Sequence, residues 1–244
     1  MLSLPCLPIS VLDGAIAGPA ALAGALRPRL GPHPVPQSDP RVRGLLLEFG
    51  AGADDLALLR AEAPELVALV AQFAREPEAI YALAVNETPP SSPDSFMLRP
   101  HVDRRWLGDG FGCAPPRWTT VVFLDFPPTG QGGELVVFPR EAFDDAEPVS
   151  RNDARQTVMS KRGALVAPLP GRACRLAGDL PHAALGYSAA PDDPWRLALV
   201  LAEFARNPDD PTFLPHHFVG SSFLPAPPKK SLKAPPRLLK KLLT

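Results

Sequence analysis

Thr119-Thr120-Val121-Val122-Phe123-Leu124-Asp125-Phe126 is a run of β-branched and aromatic residues with a pair of prolines close to each end. This composition predicts a buried β-strand. The turn Gly130-Gln131-Gly132-Gly133 then leads into a second apolar segment, Glu134-Leu135-Val136-Val137-Phe138. A strand, a glycine-rich turn and another strand predict a hairpin-like pairing, so the stretch indicates an antiparallel sheet.

Short apolar runs of the same kind occur on both sides of this hairpin. They are Ser95–Arg99, Gly163–Pro168, Ala173–Leu176 and Arg196–Phe204, and a Pro170-Gly171 turn separates the second run from the third. Several short strands with turns between them predict an antiparallel sandwich or barrel. The expected fold class is therefore mostly β.

The beginning of the chain has a helical pattern instead. Asp54-Asp55 can begin a helix whose apolar positions recur at helical spacing toward Phe73, and a shorter helix is expected around Ala15–Leu26. Leu45–Phe49 has the composition of a strand. The expected organisation is a helical support packed on the core, a mostly β core and a proline-rich basic tail, at residues 1–80, 81–206 and 207–244.

Three residues of the core have the chemistry of a metal site. His101-Val102-Asp103 follows the Ser95–Arg99 run, and His182 comes 79 residues after the aspartate. Two imidazoles and one carboxylate can occupy one face of an octahedral Fe(II) ion and leave three positions open. Arg196 follows shortly after the second histidine. Its planar guanidinium can form two parallel hydrogen bonds with a carboxylate group of a dicarboxylate. A His-x-Asp triplet alone occurs often by chance, so the order of these residues carries the prediction.

Residues 80 to 205 resemble the Fe(II)/2-oxoglutarate-dependent oxygenase superfamily, and within it the prolyl-4-hydroxylase-like branch. The matching features are His101-Val102-Asp103, Val121–Leu124, Gly132-Gly133-Glu134-Leu135, Pro170-Gly171-Arg172, His182, Gly186 and Trp195–Leu199. The resemblance implies a double-stranded β-helix, or jelly roll, with the metal at its open end and helices outside its larger sheet. Two positions depart from the pattern: Phe96 stands nearest to a usual tyrosine, and Ala198 replaces a serine.

The resemblance also implies roles for individual residues. His101, Asp103 and His182 would bind Fe(II), and Arg196 would bind 2-oxoglutarate, with O2 as the other co-substrate. Thr120 either donates to the distal carboxylate of 2-oxoglutarate or is a sheet-edge threonine without such a role. In related halogenases a small residue replaces the carboxylate, so Asp103 favours hydroxylation or another oxidation.

Two classes of function are consistent with these residues. The first is a dioxygenase that hydroxylates an unactivated C–H bond in a small molecule, an amino acid or a peptide. The alternative is a jelly-roll, cupin-like metal-binding protein without 2-oxoglutarate oxygenase activity. Arg196 favours the first class, because a metal protein that does not use 2-oxoglutarate has no need of it. Arg99, Arg104 and Arg105 suggest an anionic substrate.

The composition of the chain limits the classes of protein to which it can belong. The chain has 244 residues and a net charge of -1, which gives no electrostatic basis for nucleic-acid binding. No apolar run reaches the roughly 18 residues of a transmembrane helix, and Met1–Pro28 is a poor signal peptide. Cys6, Cys113 and Cys174 are too scattered for a disulfide framework, so a reducing, cytoplasmic location is expected.

Two segments outside the strands have open roles. Residues 140–162 are polar and long for a connection, so they are either a lid over the iron site or a solvated insertion. The tail after Pro225 has six basic residues and no acidic ones. It can contact an acidic partner or be a disordered basic tail. His33 lies in a proline-rich stretch and gives no functional signal.

Overall fold

The structure is a computed structural model. It describes residues 7–33, 39–50, 53–74, 76, 79–103, 105–106, 113–143, 150 and 152–205. The predicted basic tail, residues 207–244, and the acidic partner suggested for it lie outside the described residues.

Fifteen strands and four α-helices occur within the described ranges. Strands β1 to β15 are Ile9–Leu12, Gly31–Pro32, Arg43–Gly50, Ile80–Thr88, Phe96–His101, Arg105–Trp106, Cys113–Ala114, Trp118–Asp125, Gln131–Gly132, Leu135–Val137, Ala164–Val166, Ala173–Ala177, His182–Leu185, Tyr187–Ser188 and Arg196–Phe204. Helices α1 to α4 are Pro19–Leu26, Ala53–Glu62, Pro64–Phe73 and Ala154–Ser160, and a 3-10 turn, Arg27–Arg29, follows α1.

The strands form two main antiparallel sheets. The large sheet has seven strands in the order β1-β12-β8-β15-β4-β3-β2, and the small sheet has four in the order β11-β10-β13-β5. The chain alternates between them: β4 is in the large sheet, β5 in the small, β8 in the large, β10 and β11 in the small, β12 in the large, β13 in the small and β15 in the large. This alternation is that of a jelly roll. The predicted fold class, mostly β with a double-stranded β-helix core and supporting helices, is confirmed.

Strand β8 shows how the large sheet separates two cores. Val121 and Phe123 face the small sheet and pack with Leu135 in the interior of the jelly roll. Val122 and Leu124 face the other way and join the cluster formed with the N-terminal helices. Successive side chains of a strand point to opposite faces, so the strand is buried on both.

The first 80 residues supply strands as well as helices. Helices α1 to α3 pack on the outer face of the large sheet, as expected. The strand predicted at Leu45–Phe49 is found at Arg43–Gly50 and pairs with β4 along its whole length, so the large sheet extends into the predicted support. The single helix predicted toward Phe73 is two helices because Pro64 begins a new one, and α1 begins at Pro19 for the same reason.

Helix α4 lies in the segment that was considered as a lid. Ala154 and Val158 pack against Phe138 and Leu185 on the outer face of the small sheet. The backbone N–H of Ala154 donates to the carbonyl of Asp94 at 3.2 Å. The helix therefore covers the outer face of the small sheet, and a lid role for the whole segment stays a prediction. Residues 144–149 and 151 of this segment lie outside the described residues.

Two further expectations concern the environment of the chain. No helix in the described ranges is both long enough and apolar enough to cross a membrane. Cys174 is a buried, free thiol, and burial raises its pKa to about 12. A thiol with such a pKa is unreactive at neutral pH. The cytoplasmic location stays a prediction.

Candidate metal centre

The two histidines of the predicted site are neighbours across the small sheet. His101 is the last residue of β5 and His182 is the first of β13, and the two are paired directly in the antiparallel ladder. Their ring centroids are 4.5 Å apart. Asp103 comes two residues after the end of β5. The sheet register thus brings together side chains that are far apart in the sequence.

The possible ligand atoms converge on one point. His101 Nε2 lies 3.5 Å from Asp103 Oδ1, and His182 Nε2 lies 3.5 Å from Asp103 Oδ2. One ligand atom from each residue can be chosen so that all lie within 4.8 Å of one another. A metal ion with bonds of about 2.1 Å can bridge such atoms after a small adjustment. Two imidazoles and one carboxylate are also the donor set of non-haem Fe(II) sites.

Backbone carbonyls orient both imidazoles. His101 Nδ1 is 2.9 Å from the carbonyl oxygen of Arg99, and His182 Nδ1 is 3.1 Å from that of Leu180. A carbonyl oxygen only accepts hydrogen bonds, so each Nδ1 must donate. Each neutral ring then presents the lone pair of Nε2 toward Asp103. Such bonds from the outer ring nitrogen are typical of histidines that bind metals.

The charge balance at the centre favours an ionised carboxylate. Burial raises the pKa of Asp103, but the two imidazoles outweigh this effect and hold it well below its usual range. Burial lowers the pKa of His101, yet the hydrogen bond and charge of Asp103 leave it above its ordinary value of 6.5. Thr119 Oγ1 also donates to Asp103 Oδ2 at 3.2 Å. The carboxylate is thus negative and attracts a cation.

Arg196, the first residue of β15, lines the same cavity as the three possible ligands. It is 4% exposed, and burial lowers the pKa of its guanidinium to about 10. Its Nη1 lies 3.9 Å from the sulfur of Met97, and its Cζ is 5.4 Å from the centre of the Phe123 ring. Its Nε has no hydrogen-bond partner.

Among the described residues, no carboxylate pairs with Arg196. Burying a charged group without a partner is costly, and native proteins rarely tolerate it without a functional reason. Hydrogen bonds hold the backbone around it: its N–H donates to Tyr187 Oη at 2.9 Å, and that hydroxyl donates to the carbonyl of Thr88 at 2.5 Å. A buried, unpaired guanidinium in the same cavity as three possible metal ligands is suited to bind an anion.

Thr120 is not brought to the centre. Thr119, Val121 and Phe123 face the interior of the jelly roll, so Thr120 points to the outer face of the large sheet. It is fully buried there, its hydroxyl has no partner, and β8 is an interior strand. This corrects both readings of Thr120, as a 2-oxoglutarate contact and as a sheet-edge residue. The threonine that touches the centre is Thr119.

A cavity of about 620 Å³ contains the centre and Arg196. Its floor is the inner face of the large sheet, where Ala84, Asn86 and Ala198 are exposed to it, and its far part includes His33. Sequence reasoning missed His33 and Asn86. The sequence signal for Asn86 is weak, because it shares the end of β4 with two other polar residues, Glu87 and Thr88.

The chain is similar in structure to several oxygenases. A prolyl-4-hydroxylase from Pseudomonas putida is 19% identical with a TM-score of 0.46, covering 84% of this chain and 96% of that chain. A 2OG-Fe(II) oxygenase family oxidoreductase from Burkholderia pseudomallei is 18% identical with a TM-score of 0.47, covering 82% and 86%. A viral collagen prolyl hydroxylase from Paramecium Bursaria Chlorella virus-1 is 14% identical with a TM-score of 0.46, covering 84% and 99%.

With identities below 20% and TM-scores below 0.5, this likeness carries no conclusion about the activity of the chain. No protein-family model matches the chain, and no curated protein matches it. The function below therefore rests on the residues of this chain.

Proposed function

We propose that the protein is a non-haem Fe(II) dioxygenase that couples oxidative decarboxylation of 2-oxoglutarate to hydroxylation of an unactivated C–H bond. The observation that carries the proposal is the convergence of His101, Asp103 and His182 beside a buried Arg196 without an acidic partner. Fe(II), together with 2-oxoglutarate and O2, supplies an oxidant strong enough for such a bond.

The three ligand residues would hold Fe(II) and leave room for other molecules on its open side. Their outer contacts, to two carbonyls and to Thr119, already fix the orientation needed for binding. Little reorganisation is then required when the ion enters. Asp103 neutralises part of the positive charge of the ion, and the two imidazoles bind in their neutral form.

Arg196 would bind the distal carboxylate of 2-oxoglutarate while the keto acid end approaches the metal. A guanidinium forms two parallel hydrogen bonds with a carboxylate, and low exposure strengthens them. A bound carboxylate would also satisfy the buried Nε. Arg196 would thus favour a co-substrate with a second carboxylate. A jelly-roll metal protein without 2-oxoglutarate chemistry gives this arginine no role.

The substrate in this proposal is a small molecule, an amino acid or a short peptide. It would occupy the part of the 620 Å³ cavity that the metal and 2-oxoglutarate leave open. The apolar residues Leu46, Val121 and Leu135 are part of the wall, which keeps water away from the reacting bond.

An anaerobic titration tests the proposal. Purified protein is titrated with Fe(II) and then 2-oxoglutarate, and the weak visible absorption band of the chelate is recorded. Oxygen is then admitted and succinate is assayed. The wild type should show the band and form succinate, whereas Asp103→Ala should lose both because the ion loses one of its three ligands.

Thr120→Val is the matched control, since Thr120 lies in the same sheet but faces away from the centre. It should keep the band and the succinate yield. If 2-oxoglutarate does not bind to the Fe(II)-loaded wild type, the oxygenase proposal fails, and the alternative of a cupin-like metal-binding protein is favoured instead.

A further inference from the structure

A polar pair, His33 and Asn86, lines the cavity together with the metal centre and has no part in the chemistry described so far. Asn86 lies on β4 directly opposite Ala198 of β15, two residues along that strand from Arg196. His33 Nε2 is 2.8 Å from Asn86 Oδ1. The pair therefore lies in the same cavity as the metal centre, near Arg196 on the inner face of the large sheet.

The position of the His33 ring depends on a glycine. Gly44 of β3 is the other neighbour of Asn86 in the sheet. A Cβ at this position would lie 2.3 Å from Cδ2 of His33. Any larger residue at position 44 would push the imidazole away from Asn86, so the absence of a side chain there allows the contact.

The hydrogen bond leaves the amide of Asn86 free to donate. Its Oδ1 is an acceptor, so His33 Nε2 must carry the proton of the bond. Within the described residues, Asn86 Nδ2 has no hydrogen-bond partner. The side chain is partly exposed to the cavity. The two N–H groups of Asn86 are therefore available to an acceptor atom of a bound molecule.

The remaining wall offers few charges. Apart from the metal ligands and Arg196, its ionisable residues in the described ranges are His33 and Asp39, and Asp39 is paired with Arg41 at 2.7 Å. Arg99, which suggested an anionic substrate, is exposed and is not part of the wall. A charged molecule would lose its hydration here without gaining an opposite charge.

We propose that the substrate is a neutral, mostly apolar molecule that presents a carbonyl or hydroxyl oxygen to the amide of Asn86. His33 is a positioning residue, because it holds the amide with its N–H groups toward the cavity. This inference rests on the proposed function, in which the carboxylate of 2-oxoglutarate occupies Arg196. It differs from the expectation of an anionic substrate, which also drew on Arg104 and on the side chain of Arg105, and these lie outside the described residues.

A pair of probes with one carbon skeleton tests the proposal: cyclohexanecarboxamide, which is neutral, and cyclohexanecarboxylate, which is charged. Their binding is measured by ligand-observed NMR on the Fe(II)-loaded protein under anaerobic conditions, with and without saturating 2-oxoglutarate. With 2-oxoglutarate present, the amide should bind at least about threefold more tightly than the carboxylate. Equal or tighter binding of the carboxylate overturns the proposal, and so does failure of the amide to bind.

Asn86→Leu removes the donor and keeps the volume. It should weaken binding of the amide by about three- to tenfold, which is the usual effect of one hydrogen bond. Asn152→Leu is the matched control, since Asn152 also lines the cavity but is exposed. It should bind the amide like the wild type. Equal binding by Asn86→Leu and the wild type contradicts the proposal. The circular dichroism spectrum of each variant shows that it is folded.

The role of His33 is tested by a rescue. His33→Phe keeps a ring but no donor, so the amide of Asn86 loses its fixed orientation and the probe should bind about threefold more weakly. His33→Gln supplies an N–H again and should restore most of the affinity. Loss of affinity in both variants would mean that His33 only fills space.

The two proposals fail in different ways. Absence of 2-oxoglutarate binding, with amide binding that still depends on Asn86, would refute the oxygenase and leave the Asn86 subsite standing. Normal 2-oxoglutarate binding, with amide binding that is independent of Asn86, would refute the subsite alone.

Discussion

The two faces of the large sheet are made by the same strands but have different compositions. On β15, Leu197, Leu199 and Leu201 point to the helices and are fully buried. Between them, Arg196, Ala198 and Val200 line the cavity. The helix-facing residues are three leucines, whereas those facing the cavity are an arginine, an alanine and a valine. One face thus provides stability and the other provides the site.

The two faces of the large sheet also differ in how their charged groups are paired. On the helix-facing side, Arg27 donates to Glu87, to Asp125 and to the carbonyl of Trp195, and Arg43 pairs with Glu87 at 3.0 Å. On the cavity side, no acidic group of the described residues pairs with Arg196. A charge that is satisfied within the protein stabilises a structure, while one that is left unpaired suggests a ligand.

The largest expected effect is on the free energy of unfolding, which should depend on the face of the large sheet that is mutated. Leu199→Ala should lower the free energy of unfolding by about 2–5 kcal/mol, because it leaves a void among packed side chains. Val200→Ala, on the adjacent residue, should cost about 1 kcal/mol or less, since Val200 is partly exposed to the cavity. Urea denaturation of both variants measures the difference. Equal losses would contradict the division between the faces.

Arg196→Met is expected to change binding and stability in opposite directions. Affinity for 2-oxoglutarate should fall by about 100-fold, because two charge-assisted hydrogen bonds are lost. The melting temperature of the ligand-free protein should rise by about 2–4 °C, because an unpaired buried charge is replaced by an apolar side chain of similar length. Calorimetry and a thermal melt measure the two effects. A lower melting temperature would mean that Arg196 serves stability.

Much of this arrangement follows from local sequence patterns. His101-Val102-Asp103 is a short motif, so two ligands of the centre come from one strand end and can be predicted together. His182 and Arg196 follow in the order that the resembled superfamily implies. The short strands and turns predict an antiparallel sandwich or barrel, and the resemblance to the superfamily implies the jelly roll. These features depend on neighbouring residues or on their order, and both are visible in a sequence.

The features that were missed depend on which face of a strand a residue occupies. Thr119 and Thr120 are adjacent in β8, and the apolar residues after them continue on both faces. A strand that is buried on both sides lacks the alternation that would reveal its orientation. His33 meets Asn86 only because β2, β3 and β4 are neighbours in the sheet, and no local pattern indicates that contact.

The metal centre should respond to pH through His101. Asp103 raises the pKa of His101 above 6.5, so this proton must leave before the metal binds. Below the pKa of His101, affinity for Fe(II) should fall by at least about tenfold for each pH unit, because the proton on His101 competes with the ion. Asp103 stays ionised in this range, so it does not contribute to the slope. Anaerobic calorimetry in two buffers of different ionisation enthalpy counts the protons released. No proton release at about pH 6 would contradict the assignment of His101.

The smallest expected effect compares Thr119 with Thr120. Thr119→Val removes the hydrogen bond to Asp103 and should weaken Fe(II) binding by about tenfold, because residues that orient a metal ligand affect its affinity. Thr120→Val removes a buried hydroxyl without a partner, so it should leave Fe(II) binding unchanged and raise the free energy of unfolding by about 1 kcal/mol. Fe(II) titration and urea denaturation of both variants measure these effects. If only Thr120→Val weakened metal binding, Thr120 and not Thr119 would face the centre. The division of the large sheet into a stabilising and a functional face would then be wrong.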